Sequence, residues 1–226
     1  MEAKEKIQFF AQLSLLSTLS MAEIEQVAHL AQLRRATKFQ FVFMPDEPSD
    51  YLYILVKGRL KSGTFSDDGR EVIKEILQPM AIFGDFTLAG EKKRADFAQA
   101  MFDEAEYFCI KINEFRLLMQ ANQRLMLACM QHLSERLQRV EERLSSLILK
   151  DARERIIGFL VDSAEKEGKR IGYETLVKHR LTQQEIANLT GTSRQTVTSV
   201  FNDLRKHNKI YFNRSSILIR DVGSLA

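Results

Sequence analysis

The 226-residue sequence carries 45% hydrophobic and 28% charged side chains, which excludes a disordered chain and provides for two modest cores. No apolar stretch approaches the roughly 20 residues that span a bilayer, and no membrane association is expected. The net charge of +3 is unevenly spread, with 13 Lys and Arg against 9 Asp and Glu in residues 151–226, and 20 against 21 in residues 1–150. An excess of positive charge in the last third suits an anionic partner such as nucleic acid.

From the N-terminus, Met1–Phe10 mixes Lys4 and Lys6 with Glu2 and Glu5, and no signal peptide is read. The first 35 residues read as helical, with Ser20 capping a helix that places Ile24, Val27, Ala28 and Ala31 on one face. From Thr37 to Ile112 short β-rich runs take over: Phe39–Phe43, Tyr51–Val56, Arg59–Phe65, Glu71–Leu77, Phe97–Phe102 and Ala105–Ile110. Turn signals such as Lys57-Gly58 and Asp67-Asp68-Gly69 separate them, and the spacing predicts a small β-sandwich or β-roll.

One long helix is then expected, since neither Gly nor Pro interrupts Glu114 to Lys150. Met126, Met130, Leu133, Leu137, Val140, Leu144 and Leu147 follow a 4-3-4-3-4-3 spacing with charges between them. A narrow apolar seam flanked by charge is what a helix needs to pair with its own copy, so a homodimer is expected. A new helix starts after Lys150-Asp151 and ends near Gly168. The expected domains are a β-roll over 1–121, a dimerisation helix over 122–149 and a helical unit over 150–226.

The most informative stretch follows. Thr182 and Glu185 form a capping box, Ile186, Ala187 and Leu189 are apolar, Gly191 supplies a left-handed turn, and Ser193 caps a second helix. In that helix Val197, Val200, Phe201 and Leu204 face inward, which leaves Arg194, Gln195, Thr198 and Ser199 outward. Two short helices around a tight Gly turn match a helix-turn-helix, and the partner expected is double-stranded DNA. Arginine can grip guanine O6 and N7, glutamine can do the same for adenine N6 and N7, and Ser193 and Thr196 lie at the helix start, where phosphates are met. Lys209–Phe212 and Ser216–Ile219 read as a wing turned around Asn213-Arg214-Ser215, with Lys178, His179, Arg180 and Lys206 as further backbone contacts.

These residues resemble the Crp/Fnr superfamily of bacterial transcription regulators, most strongly over Leu181–Ile210. Tyr51–Gly58 followed by Asp68-Gly69-Arg70-Glu71 is similar to that family's effector-domain roll, and Phe83-Gly84-Asp85-Phe86 and Arg94-Ala95 fall at its phosphate-binding cassette. The resemblance implies an α+β chain with an N-terminal cyclic-nucleotide-binding-like β-roll, a long dimerisation helix and a C-terminal winged helix-turn-helix. It implies that Arg194 reads a guanine and that Thr182, Ser193 and Thr196 contact phosphates. Gln195 stands where many members carry Glu and Ser199 where many carry Arg, which changes the preferred half-site. RNA polymerase is the implied further partner.

For an effector, the resemblance points to Gly84, Asp85, Arg94 and Ala95, with Val140 and Glu141 at the long-helix positions that meet the base. Asp85 is one methylene short of the usual Glu, Ala95 lacks the usual Ser hydroxyl, and turn positions that are usually glycine read Asp46 and Met80. In cyclic-nucleotide-binding members of the family these positions hold the nucleotide; with the departures here, an altered pocket, an empty one and one selective for another molecule stay open. Two cysteines, Cys109 and Cys129, cannot build a disulfide framework or hold an iron–sulfur cluster, and a cytoplasmic protein is expected. His29, His132 and Cys109 are the candidate haem ligands; His132 one turn from Glu135 reads as a solvated helix face, and no metal site is expected. No P-loop, dinucleotide fingerprint, HExxH or GxSxG pattern is present, so no enzyme is expected. A cyclic-nucleotide signalling module whose helical part serves a protein partner is the alternative.

Overall fold

Helix starts are written locally in this chain. In the computed structural model, which describes residues 2–101, 104–213 and 215–225, Ser20, Asp151, Thr182 and Ser193 each start a helix by accepting from one of its first free N–H groups. After α1 (Ala3–Ala11), Ser20 and Glu23 close a capping box on α2 (Met21–Leu30). The helical reading of the first 35 residues stops there: Gln32–Ala36 is a strand, β1. Its mostly exposed residues show no alternation, and pairing with a later strand decides its state.

The β-region holds β2 (Phe41–Phe43), β3 (Tyr51–Lys57), β4 (Leu60–Phe65), β5 (Glu71–Leu77), β6 (Ile82–Phe83), β7 (Phe97–Ala100) and β8 (Ala105–Lys111). Phe102, expected to extend β7, lies outside the described residues. Two four-stranded sheets result, ordered β1-β8-β3-β6 and β2-β7-β4-β5. The continuous apolar run of β3 is explained by burial on both faces. Tyr53 and Leu55 enter a core shared with Phe43, Leu60, Leu77 and Phe83 of the other strands, while Leu52 and Ile54 face Phe10, Ile24, Val27 and Phe115 of the helices. Asp46 and Met80, read as occupying glycine positions, do adopt left-handed backbone, with φ of 68° and 75°.

The long helix is two helices, α3 (Ile112–Ala121) and α4 (Gln123–Leu149). The break falls at Asn122, whose Oδ1 accepts from Leu125 N at 3.1 Å while its Nδ2 donates to Glu23 of α2. An asparagine can thus start a helix inside an otherwise unbroken pattern, because a tertiary partner holds its amide.

By contacts the chain divides into two compact units, residues 1–70 with 74–139, and residues 71–73 with 140–226. In the second, Asp151 caps α5 (Ala152–Glu167), and a hairpin of β9 (Lys169–Ile171) and β10 (Glu174–Val177) precedes α6 (Gln183–Thr190) and α7 (Arg194–Lys206). β11 (Ile210–Phe212) and β12 (Ile217–Ile219) complete a sheet ordered β11-β12-β10-β9. Arg214, in the expected wing turn, lies outside the described residues. Ile156, Leu160, Ile186, Val197, Phe201, Leu204 and Ile219 are buried here.

Candidate DNA-reading surface and effector cassette

The reading surface is built from local rules. Thr182 Oγ1 accepts from Glu185 N at 3.2 Å and donates to Glu185 Oε2 at 2.8 Å, which fixes the start of α6. Gly191 ends α6 with φ of 62°, a left-handed conformation that calls for glycine. Ser193 Oγ accepts from Thr196 N at 3.0 Å and lies 2.8 Å from Thr196 Oγ1, capping α7. With Val197, Val200, Phe201 and Leu204 buried, the opposite face of α7 is fixed outward.

That face is open and nearly flat, formed by Arg194, Gln195, Thr198, Ser199 and Asn202. Asn202 was not singled out from the sequence, although it continues the same helical face from Gln195 and Ser199. Arg194, Gln195 and Ser199 are exposed. Thr198 is committed within the protein: its hydroxyl lies 2.6 Å from Gln183 Oε1 and 2.9 Å from the Arg194 carbonyl. His179, expected on the surface, is instead buried and accepts from Leu181 N at Nδ1, 2.8 Å away, which makes it part of the turn into α6. Lys178, Arg180 and Lys206 are exposed.

Two arginines that sequence reasoning missed hold this motif. Arg143 of α4 donates to the Leu189 carbonyl at 3.0 Å. Arg155 of α5 donates through Nε to Thr190 O at 2.8 Å, through Nη2 to Gly191 O at 3.1 Å and through Nη1 to Lys150 O at 2.7 Å. Positive charge is thus set on the C-terminal carbonyls of α6, where the helix dipole favours it. Nothing in the spacing of an exposed-looking arginine announces carbonyl partners some 35 residues away in sequence.

On α4 the expected seam stands out from a single chain. Met126, Met130, Leu137, Val140, Leu144 and Leu147 are exposed, Leu137 by 59% and Met130 by 62%, while Leu133 is half-buried.

The cassette lies in the first unit. A short helical turn, Asp85–Ala89, runs between Gly84 and Gly90, both with left-handed backbone. Arg94 is buried, donating through Nη1 to Gly84 O at 2.9 Å and through Nη2 to Tyr51 O, with Glu91 Oε2 at 3.4 Å and its guanidinium 4.5 Å from the Phe43 ring centre. A Cβ on Gly84 would meet Arg94 Nη1 at 2.8 Å, so this close approach also needs glycine. Asp85 has no exposed side-chain surface; it is paired with Arg136, and its Oδ2 lies 2.9 Å from His132 Nε2. Burial pushes the Asp85 pKa up, but the hydrogen bond of His132 and the charge and hydrogen bond of Arg136 outweigh it and hold the carboxyl below its ordinary value. The guanidinium of Arg136 also lies 4.5 Å from the Phe86 ring centre.

His132 is therefore not a solvated helix residue, and the α4 residues that meet the cassette are His132 and Arg136. Val140 and Glu141 are exposed. Ala95 is exposed as well. The cavity among these groups measures about 20 Å³, well short of the roughly 300 Å³ at which small-molecule sites begin. A cyclic nucleotide does not fit the residues as they stand. Cys109 and Cys129 are buried, Cys109 Sγ lying 3.5 Å from Gln32 O, and burial pushes the Cys129 thiol up to about 12.

Comparison with known proteins bears on both units. Residues 33–122 match the model of the cyclic nucleotide-binding domain, and residues 154–226 match that of the Crp-like helix-turn-helix domain. A CRP-like cAMP-activated global transcriptional regulator of Mycobacterium tuberculosis is 31% identical over 185 residues, 82% of each chain. A global nitrogen regulator of Synechocystis is 26% identical over 186 residues, 82% of this chain and 83% of its own. In fold, a CooA mutant from Carboxydothermus hydrogenoformans superposes with a TM-score of 0.75 at 23% identity, covering 94% of this chain and 93% of that one. With its roll, its α4 and its helix-turn-helix in that order, the chain belongs to the Crp/Fnr family of transcription regulators.

Proposed function

We propose that two copies of this chain pair through the α4 seam and read a near-palindromic DNA site with their α7 helices. The half-sites lie about 34 Å apart, one turn of the duplex, so that successive major grooves are occupied together. Arg194 takes a guanine through O6 and N7, and Gln195 takes an adenine through N6 and N7. Ser199 and Thr198 flank them, while Thr182, Ser193 and Thr196 meet phosphates at the two helix starts. The observation that carries this reading is the exposed α7 face, in which the side chains of Arg194, Gln195 and Ser199 have no hydrogen-bond or ion-pair partner among the described residues, on a helix whose other face is core. The protein works in the cytoplasm by binding, not by catalysis, and its partner in transcription is RNA polymerase.

Selection of sites from random duplex DNA with the purified protein tests the reading. A palindrome with half-sites one turn apart is expected. Arg194→Ala should lose the preference for one guanine per half-site, about 1–3 kcal/mol of discrimination. Unchanged preference in that variant overturns the assignment.

A further inference from the structure

We propose that the cassette is closed by the chain's own carboxylates: Asp85 is paired with Arg136 and His132, and Glu91 with Arg94, so the β-roll takes no cyclic nucleotide and the protein reads DNA without one.

Three observations carry this. The first is charge. The cavity is lined by four carboxylates, Glu75, Asp85, Glu91 and Asp96, against the guanidinium groups of Arg94 and Arg136. Asp96 is paired with Lys74 and Asp85 with Arg136, so a cyclic phosphate entering there would add a charge at low dielectric where the cations are already matched by carboxylates. The second is commitment of the cations. Arg94 spends its two terminal nitrogens on Gly84 O, Tyr51 O and Glu91, and Arg136 spends its charge on Asp85. Freeing either for a phosphate would leave a buried partner uncompensated. The third is space, since about 20 Å³ admits roughly one water.

The same contacts fix the rotation of α4. His132 and Arg136 are one turn apart on a single helix face, so holding both against Asp85 turns Met130 and Leu137 outward. In ligand-dependent regulation a bound anion would set this rotation; here the set is internal and permanent. The DNA arm of the test rests on the α7 reading above, whereas the nucleotide arm does not.

Full-length protein is titrated calorimetrically with cyclic AMP, cyclic GMP and cyclic di-GMP, each to about 1 mM, where even a weak site is half-filled. No saturable heat is expected, and affinity for the selected DNA site should change less than about twofold with any of them present. Saturable binding by any of the three, or DNA binding that appears only when one is added, overturns the proposal. Asp85→Asn, folded by circular dichroism, should weaken DNA binding more than about tenfold without added nucleotide; wild-type affinity in that variant overturns the link to α4. If Asp85→Asn does not fold, His132→Ala, which removes one of the two contacts, should weaken binding in the same direction. Failure to select any DNA sequence, with or without nucleotide, would sink the α7 reading and leave the calorimetric result to stand by itself.

Discussion

Arg94 and Arg194, one in each unit, show what burial does to the same side chain. Arg94 is 3% exposed; its two terminal nitrogens meet two backbone carbonyls and a glutamate, its guanidinium lies against an aromatic face, and its Nε has no hydrogen-bond partner among the described residues. Arg194 is exposed and has no such partner among the described residues. A desolvated cation must be answered by the chain itself, while a solvated one at the start of a capped helix is left available for a ligand. The family resemblance points to both residues, Arg94 for a phosphate and Arg194 for a base, yet only the second is exposed. Position in a motif names a candidate; accessibility and commitment decide its use.

The comparison can be broken at its supports. Leu137→Glu should have the largest effect, placing a charge in the α4 seam. Sedimentation should show a monomer, and DNA affinity should fall by at least about a hundredfold, since each chain then holds one half-site. A monomeric variant with intact affinity would remove the dimer from the mechanism. Next comes Asp85→Asn, which leaves Arg136 without its buried counter-charge and should cost about 3 kcal/mol in urea unfolding. Because the Asp85 pKa is lowered in the folded state, its contribution is fully present above the ordinary carboxylate value of about 4 and is lost as pH falls through the lower folded value. The wild type should therefore lose stability more steeply below that pH than the variant; parallel acid profiles would show that the pair contributes nothing. Arg155→Ala should be smallest, weakening DNA binding by about 1.5 kcal/mol through loss of bonds to the α6 carbonyls. Its dimerisation and the salt dependence of its DNA binding should stay unchanged, because Arg155 touches the turn and no phosphate; a shallower salt slope would make it a phosphate contact instead.

What could be read from the sequence was what is encoded within a few residues. The cap at Ser20, the capping box at Thr182 and the left-handed Gly191 depend on near neighbours, and each stands where it was expected. The misses share one cause, a partner far along the chain. Gln32–Ala36 is a strand because β8 offers an edge, Asn122 starts a helix because Glu23 holds its amide, and His132 faces inward because Asp85 lies 47 residues earlier. Arg143 and Arg155 escaped notice for the same reason. Periodicity records which face is apolar, but it is silent on which polar residue has been answered from afar.

The exposed seam of α4 also ties the protein's output to its dose. On the pairing proposed above, six apolar side chains that stand open on a single chain are covered only when two chains meet, and pairing obeys mass action. While most chains are single, doubling the number of copies raises the paired form about fourfold. A regulator built this way responds to its own synthesis more sharply than a single-chain reader of the same site. The strength of its own promoter is then part of the switch.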